Sequence, residues 1–308
     1  MNAISHRPRP AVEVRDLACR YGAFTAVDRV AFDVAPGELF ALLGTNGAGK
    51  TTTIETAIGM RRPSAGTVRV LGRDPWTHRR DLAGTVAVIG QETGFADDLT
   101  AAETLKLWTD LHRLPANEAL LERVDLAHRA AVRVGALSGG ERRRLDLALA
   151  VATGPTVLFA DEPTTGLDPA SRRRTWGLLR ELTAQGAAVV LTTHYLDEAA
   201  ELADHVAIMD RGRIARFGTV AEITASYEAR ITVRPRPFDP ITLPALAGRS
   251  SVDEGRLTVR TTELQADLHR LLDWAARGGV ELADLKAGPA TLDEIFAELE
   301  AEPAAAVL

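Results

Sequence analysis

Apolar and polar positions alternate over residues 11–18 and again over 30–34, the period of strands with one buried face. Residues 39–43 differ: they form an unbroken apolar run ending at Gly44, as a strand covered on both faces does. Similar runs recur at 86–89, 157–160 and 187–192, and 66–71 reads as a shorter strand. Between them the spacing turns helical, from 50 to about 59, from 99 to about 134, and over 138–152, 171–185 and 196–203. Segments 206–210 and 213–216 form a hairpin around Arg211-Gly212. Doubly buried strands alternating with helices predict an α/β fold, a parallel sheet with helices on both faces.

From about Val220 the texture changes. Segments 230–234 and 256–260 alternate as strands on either side of a Pro-rich loop, 235–244. Residues 263–277 read as an amphipathic helix with Leu264, Leu268, Leu271 and Leu272 on one face, and 291–299 as a last helix. The expected organisation is one domain over 11–219, with a helical part at about 96–137, and a small α+β appendage over 220–308.

Composition narrows the function classes. The longest apolar runs, such as 186–191, are strand-sized, far short of the roughly 20 residues that span a bilayer. The first ten residues are polar, with two prolines, and lack the apolar core of a signal peptide. A cytoplasmic protein is expected, and any membrane part of its task must come from another chain. Cys19 is the single cysteine, which excludes an internal disulfide and a cysteine metal cluster. The net charge of −6 gives no basic footprint for nucleic acid, so none is expected as a partner. Basic residues are nearly all arginine; the lysines are Lys50, Lys106 and Lys286.

One of those lysines stands in the motif that decides the chemistry. Gly44-Thr45-Asn46-Gly47-Ala48-Gly49-Lys50-Thr51 fits G-x-x-x-x-G-K-[ST], with a strand before it and a helix after it. Glycines let backbone N–H groups turn inward onto phosphate oxygens, and the helix N-terminus adds a fixed positive end. Lys50 is expected to reach the β- and γ-phosphates and Thr51 to hold Mg²⁺. Downstream, the apolar run 157–160 delivers Asp161 and Glu162 to a strand's C-terminal end, where ligands of α/β sheets sit. Hydrolysis needs both carboxylates: Asp161 to order the Mg²⁺ shell and Glu162 to polarise the attacking water.

Leu137-Ser138-Gly139-Gly140-Glu141 closely resembles the signature of ATP-binding-cassette ATPases, which more often ends in Gln. The remaining motifs of that family follow in order. Gln91 resembles its Mg²⁺- and water-sensing glutamine, and Gly166-Leu167-Asp168 its D-loop. His194 resembles the switch histidine at the γ-phosphate, and Tyr21 the aromatic that stacks on adenine. The resemblance covers residues 11–220 and is strongest to the ATPases of antibiotic exporters of the daunorubicin-resistance type. The strings 145–149, 161–169 (DEPTTGLDP), 192–199 (TTHYLDEA) and 291–299 (TLDEIFAEL) support it.

The resemblance implies a P-loop NTPase fold: a RecA-like parallel core, an antiparallel β subdomain and a helical subdomain. It implies ATP and Mg²⁺ as ligands, with ATP on residues 44–52, Thr52 included, and the ion on Thr51, Gln91 and Asp161. Catalysis would involve Glu162, His194, Lys50 and Gln91. Two cassettes would pair head to tail, Ser138, Gly139, Gly140 and Glu141 of each closing on the other's ATP. A homodimer is expected, peripheral on the membrane through a separate permease docked near residues 96–107, with a hydrophobic drug or natural product as cargo.

Three departures stand out. Glu141 replaces the commoner Gln, a change expected to be tolerated because the side chain faces out of its turn. Ala160 is small where a larger apolar residue is usual, and the helical stretch 114–134 is short. Other nucleotide machines fit less well. No N-K-x-D guanine reader is available among three lysines, no coiled-coil insertion fits between the P-loop and the signature, and one cassette is present rather than two. A metal site built from His194, Glu198, Glu201 and His205 lacks the H-E-x-x-H spacing. A regulatory cassette ATPase without a permease remains the alternative reading.

Overall fold

The computed structural model describes residues 9–301, apart from 92, 93, 116, 118 and 238. The N-terminal stretch read for a signal peptide therefore lies mostly outside the described residues. Contacts divide the chain into two units, with the boundary between Thr219 and Val220.

The first unit is built on a six-stranded sheet. In chain order its strands are β3 (Leu39–Gly44), β5 (Val86–Ile89), β6 (Val157–Asp161), β7 (Ala188–Thr193), β8 (His205–Asp210) and β9 (Arg213–Gly218), and in space they run β5-β6-β7-β3-β8-β9. All neighbours are parallel except the β8–β9 hairpin. The period-2 rule explains why the unbroken apolar runs are strands. On β6, Leu158 and Ala160 enter the core on one face, Val157 and Phe159 the core on the other. On β7, Val189 and Leu191 oppose Ala188 and Val190 in the same way.

One face is covered by α3 (Ala101–Leu111), α4 (Ala119–Arg123), α5 (Gly139–Ala152) and α6 (Pro169–Ala184), whose Leu105, Leu120, Leu145 and Leu179 share a core with Ile89 and Leu158. The other carries α1 (Lys50–Ala57) and an antiparallel sheet of order β2-β1-β4: β1 (Val12–Tyr21), β2 (Phe24–Val34) and β4 (Ala65–Val70). The short helices α2 (Arg79–Leu82) and α7 (Leu196–Leu202) complete the unit. This is the α/β class with an added antiparallel sheet.

The long helical expectation over 99–134 needs correction. Helix α3 begins with a capping box at Thr100, whose hydroxyl and backbone pair with Glu103, and it ends before Arg113, which turns to φ +57°. Helix α4 is brief and stops before Asp125 at φ +56°, and the rest is two 3₁₀ turns at Ala127–Arg129 and Val134–Ala136.

The second unit contains α8 (Val220–Ala225), β10 (Ala229–Arg236), β11 (Arg249–Asp253), β12 (Arg256–Thr261), α9 (Leu264–Gly278), β13 (Glu281–Gly288) and α10 (Leu292–Ala301). Its sheet has the order β11-β12-β10-β13, two strands more than the pattern gave. The sequence 249–253 is polar apart from Val252, and it is exposed along its whole length. In β13 the pairing slips opposite Thr232–Arg234, and Asp284 turns to φ +54°, which erases the alternation. On α9, Leu264, Leu268 and Leu271 pack against Ile231, Val233, Leu257 and Val259. Leu272 does not: it is 45% exposed, and Ala275 takes the buried place, because 264, 268, 271 and 275 follow one helical face.

Candidate active site

The parallel strands end side by side, and the candidate residues sit at those ends. The turn from β3 to α1 carries the expected phosphate loop, Gly44 to Thr51. Its shape depends on close packing at Gly49, φ +105°, where a Cβ would come within 2.5 Å of the Ala26 carbonyl oxygen. The same oxygen faces Gly212 in the β8–β9 turn, where a Cβ would come within 2.7 Å. Gly212 N–H donates to Ala48 at 3.0 Å, and its carbonyl accepts from Asp28 N–H at 2.8 Å.

Lys50 is buried, with Nζ donating to the carbonyls of Gly44 (2.6 Å) and Thr45 (3.1 Å). Burial lowers its pKa, opposed by the charges of Glu162 and Asp161. Around it a groove of about 380 Å³ is lined by Tyr21, Phe24, Thr45, Asn46, Gly47, Gly49, Thr51, Thr52, Gln91 and Glu162. Ala48 is buried beneath it. Tyr21, at the end of β1, is 44% exposed, its ring under the Arg61 guanidinium at 4.2 Å and its hydroxyl 3.4 Å from Thr52 Oγ1. Gln91 donates through Nε2 to Thr51 Oγ1 at 3.1 Å.

Asp161 is buried at the end of β6. One of its oxygens, Oδ1, accepts from the Thr192 hydroxyl on neighbouring β7. Glu162 follows in a left-handed turn, φ +51°, unusual for a residue with a side chain. Its N–H donates to Thr192, to the carbonyl at 3.0 Å and the hydroxyl at 3.2 Å. Its Oε2 accepts from Thr165 Oγ1 and lies beside His194 Nδ1, each at 3.2 Å. The structure thus brings Lys50, Thr51, Gln91, Glu162 and Tyr21 to one groove.

The signature does not join them there. Ser138, Gly139, Gly140, Glu141 and Asp168 line a second, larger groove of about 1040 Å³, which Gln91 and Glu162 also line. Ser138 is the N-cap of α5 in a full capping box. Glu141 does not face out of the turn: its Oε2 accepts from Ser138 N–H at 2.8 Å and its Oε1 from Arg129 Nε at 2.8 Å. The expected reason for tolerance is therefore wrong, and the Ser138 N–H supplies another, because Gln can cap as Glu does. Asp168 caps α6. Its carboxylate accepts from the Ser171 hydroxyl (2.6 Å) and from the N–H groups of Ser171 (3.0 Å) and Ala170 (2.9 Å), which hold its pKa down at about 2.

The members of the weaker metal reading point elsewhere. Glu198 accepts from Trp176 Nε1 at 2.8 Å, Glu201 pairs with Arg180, and His205 with Glu38. Two residues of the site were not anticipated: Thr192, and Arg143, buried on α5 against the carbonyls of residues 90 and 161–163. Arg143 left a trace in the sequence, since it shares a helical stripe with Leu147 and Ala150.

Comparison with known proteins agrees with this geometry. Residues 27–165 match the ABC transporter family, and residues 229–291 match the C-terminal domain of ABC transporter domain-containing-like proteins. The daunorubicin resistance ATP-binding protein DrrA3 of Streptomyces coeruleorubidus is 36% identical over 301 residues, covering 94% of this chain and 95% of that protein. The Nod factor export ATP-binding protein I of Ralstonia nicotianae is 42% identical over 220 residues, covering 70% of this chain and 68% of that protein. A solved ATP-binding subunit of an ABC transporter superimposes with a TM-score of 0.66 at 30% identity, over 70% of this chain and 92% of that one. No helix among the described residues is long and apolar enough to cross a membrane. The chain belongs to the ATP-binding family of ABC transporters, and is an ATP-hydrolysing subunit of that kind.

Proposed function

We propose that this subunit hydrolyses Mg-ATP as one of a head-to-tail pair and drives a separate membrane permease that exports a hydrophobic drug or natural product. ATP lies on residues 44–52 with adenine against Tyr21. Lys50 leaves its two carbonyls for the β- and γ-phosphates. Glu162 takes the proton of the water that attacks the γ-phosphorus, and ADP and phosphate leave. His194, 3.2 Å from the same carboxylate oxygen, steadies it. The observation that carries this reading is the place of Glu162, on the wall both of the groove that Lys50 lines and of the groove that the signature lines. One chain thus offers two phosphate-binding helix ends for a single γ-phosphate, an arrangement that a second chain resolves.

The oxygen donors suit Mg²⁺. The Thr51 hydroxyl and Asp161, with Oδ2 left over from its bond to Thr192, would hold the ion, and Gln91 would join by turning its amide oxygen inward. Bound there, Mg²⁺ supplies neutralisation of charge on the phosphate oxygens. The drug-resistance and Nod-factor-export relatives support the transport part, and with it a cytoplasmic place at the membrane.

Glu162→Gln is the test. It should retain ATP binding, lose turnover and accumulate as an ATP-dependent dimer in size-exclusion chromatography. A monomeric variant that still hydrolyses ATP would refute the assignment. Purification from detergent-solubilised membranes separates the transport reading from a regulatory one: a polytopic partner supports the first, and its consistent absence the second.

A further inference from the structure

Four backbone carbonyls converge on one buried cation. Arg143, 7% exposed, donates from Nε to Pro163 (3.0 Å), from Nη2 to Asp161 (2.6 Å) and Glu162 (2.7 Å), and from Nη1 to Gly90. These acceptors come from two segments distant in sequence: the residue before Gln91, and the turn that carries the two carboxylates. The donor comes from a third, the helix that begins at Ser138. The nearest acid is Asp146, at 3.7 Å. A guanidinium placed in the interior among main-chain oxygens is costly unless its donors are used, and four of these are.

The peptide units on both sides of Glu162 are engaged. Ahead of it the Asp161 carbonyl, and after it the Glu162 carbonyl, accept from the same Nη2. With the two Thr192 bonds to its N–H, these hold a non-glycine residue in a left-handed conformation, which such residues keep only if their surroundings impose it. We propose that Arg143 is a positioning residue for hydrolysis, its planar fork fixing the main chain of Glu162 and of Gly90 to the signature helix so that the Glu162 carboxylate and the Gln91 amide keep one relative placement. The inference rests on the assignment of Glu162 as the base. It also explains the residue type, since a lysine has three donors on one atom and cannot reproduce four bonds made from three nitrogens.

The test compares Arg143→Lys and Arg143→Gln in the full chain. Both should lose at least tenfold in kcat while affinity for a non-hydrolysable ATP analogue stays within threefold, because no Arg143 donor touches the phosphate loop. In a Glu162→Gln background, Arg143→Lys should reduce the residual single-turnover rate less than twofold. A residue that only staples the fold would multiply its effect in that background. Three results would overturn the proposal: kcat within twofold of wild type, kcat and nucleotide affinity falling in step, or failure of both variants to fold. If Glu162→Gln alone keeps its turnover, the assignment of the base fails instead, whatever Arg143 does.

Discussion

Thr192→Val isolates one hydroxyl at the point where β6 and β7 meet. Thr192 is fully buried, and its Oγ1 both donates to Asp161 Oδ1 and accepts from Glu162 N–H. Valine has the same shape, so packing is kept and the polar group removed. Glu162 N–H retains the backbone carbonyl of residue 192 at 3.0 Å, so the main loss is the bond to the buried carboxylate. Hydrogen bonds to charged groups contribute about 1.5–3 kcal/mol, and that is the expected loss of stability. For a unit of this size each kcal/mol lowers the melting temperature by about 2–4 °C. Thr192→Ser keeps the hydroxyl and deletes one methyl, a loss of about 0.8 kcal/mol. Urea unfolding of both variants at pH 7 measures the difference. If Val costs no more than Ser at an unchanged denaturant slope, the hydroxyl does not hold Asp161 and the reasoning fails.

Glu141→Gln should change stability by less than about 1 kcal/mol, since the cap acceptor survives and only a partly exposed ion pair with Arg129 goes. Glu141→Ala should cost about 1 kcal/mol more, and equal unfolding midpoints for the two would remove the capping role. Asp146 is pushed up to about 7 by burial, against the pull of Arg143, from an ordinary value of 3.8. The folded state therefore takes up a proton that the unfolded state has released, and the associated stability is present below pH 3.8 and lost as pH rises through 7. Relative to Asp146→Asn, wild type should lose stability from pH 5 to 7 at up to about 1.4 kcal/mol per pH unit and then level off. Parallel stability curves for the two proteins over pH 5–8 would refute this.

What could be read in advance follows physical lines. Strands buried on both faces leave an unmistakable apolar run, which places β3, β6 and β7 within a residue or two; β5 is equally apolar in sequence, but it lies at the sheet edge with Val88 exposed and is not the fully buried strand its run predicts. The hydroxyl cap at Ser138 located the start of α5. Local signals failed where tertiary packing decides. Strand β11 is wholly exposed and has no buried face to betray it, and a slip in pairing hides the period of β13. The break after α3 comes from a left-handed Arg113, a residue without the usual preference for that conformation. At the site, the phosphate loop and the two carboxylates are legible because each is a contiguous string. Thr192 and Arg143 are not, because their partners are main-chain atoms or groups about 20 to 50 residues away in sequence.

The shared contact of Gly49 and Gly212 with the Ala26 carbonyl bears on how the protein tolerates change. By position alone, the tip of the β8–β9 hairpin is where insertions, tags and length variation are normally absorbed. Here that tip is bonded to Ala48, in the turn between β3 and α1, and pressed against β2. Three segments, around residues 26, 49 and 212, behave as one tightly fitted part with no slack for an added methyl group. Shuffling modules between related subunits would have to carry all three together, although more than 180 residues separate the first from the last.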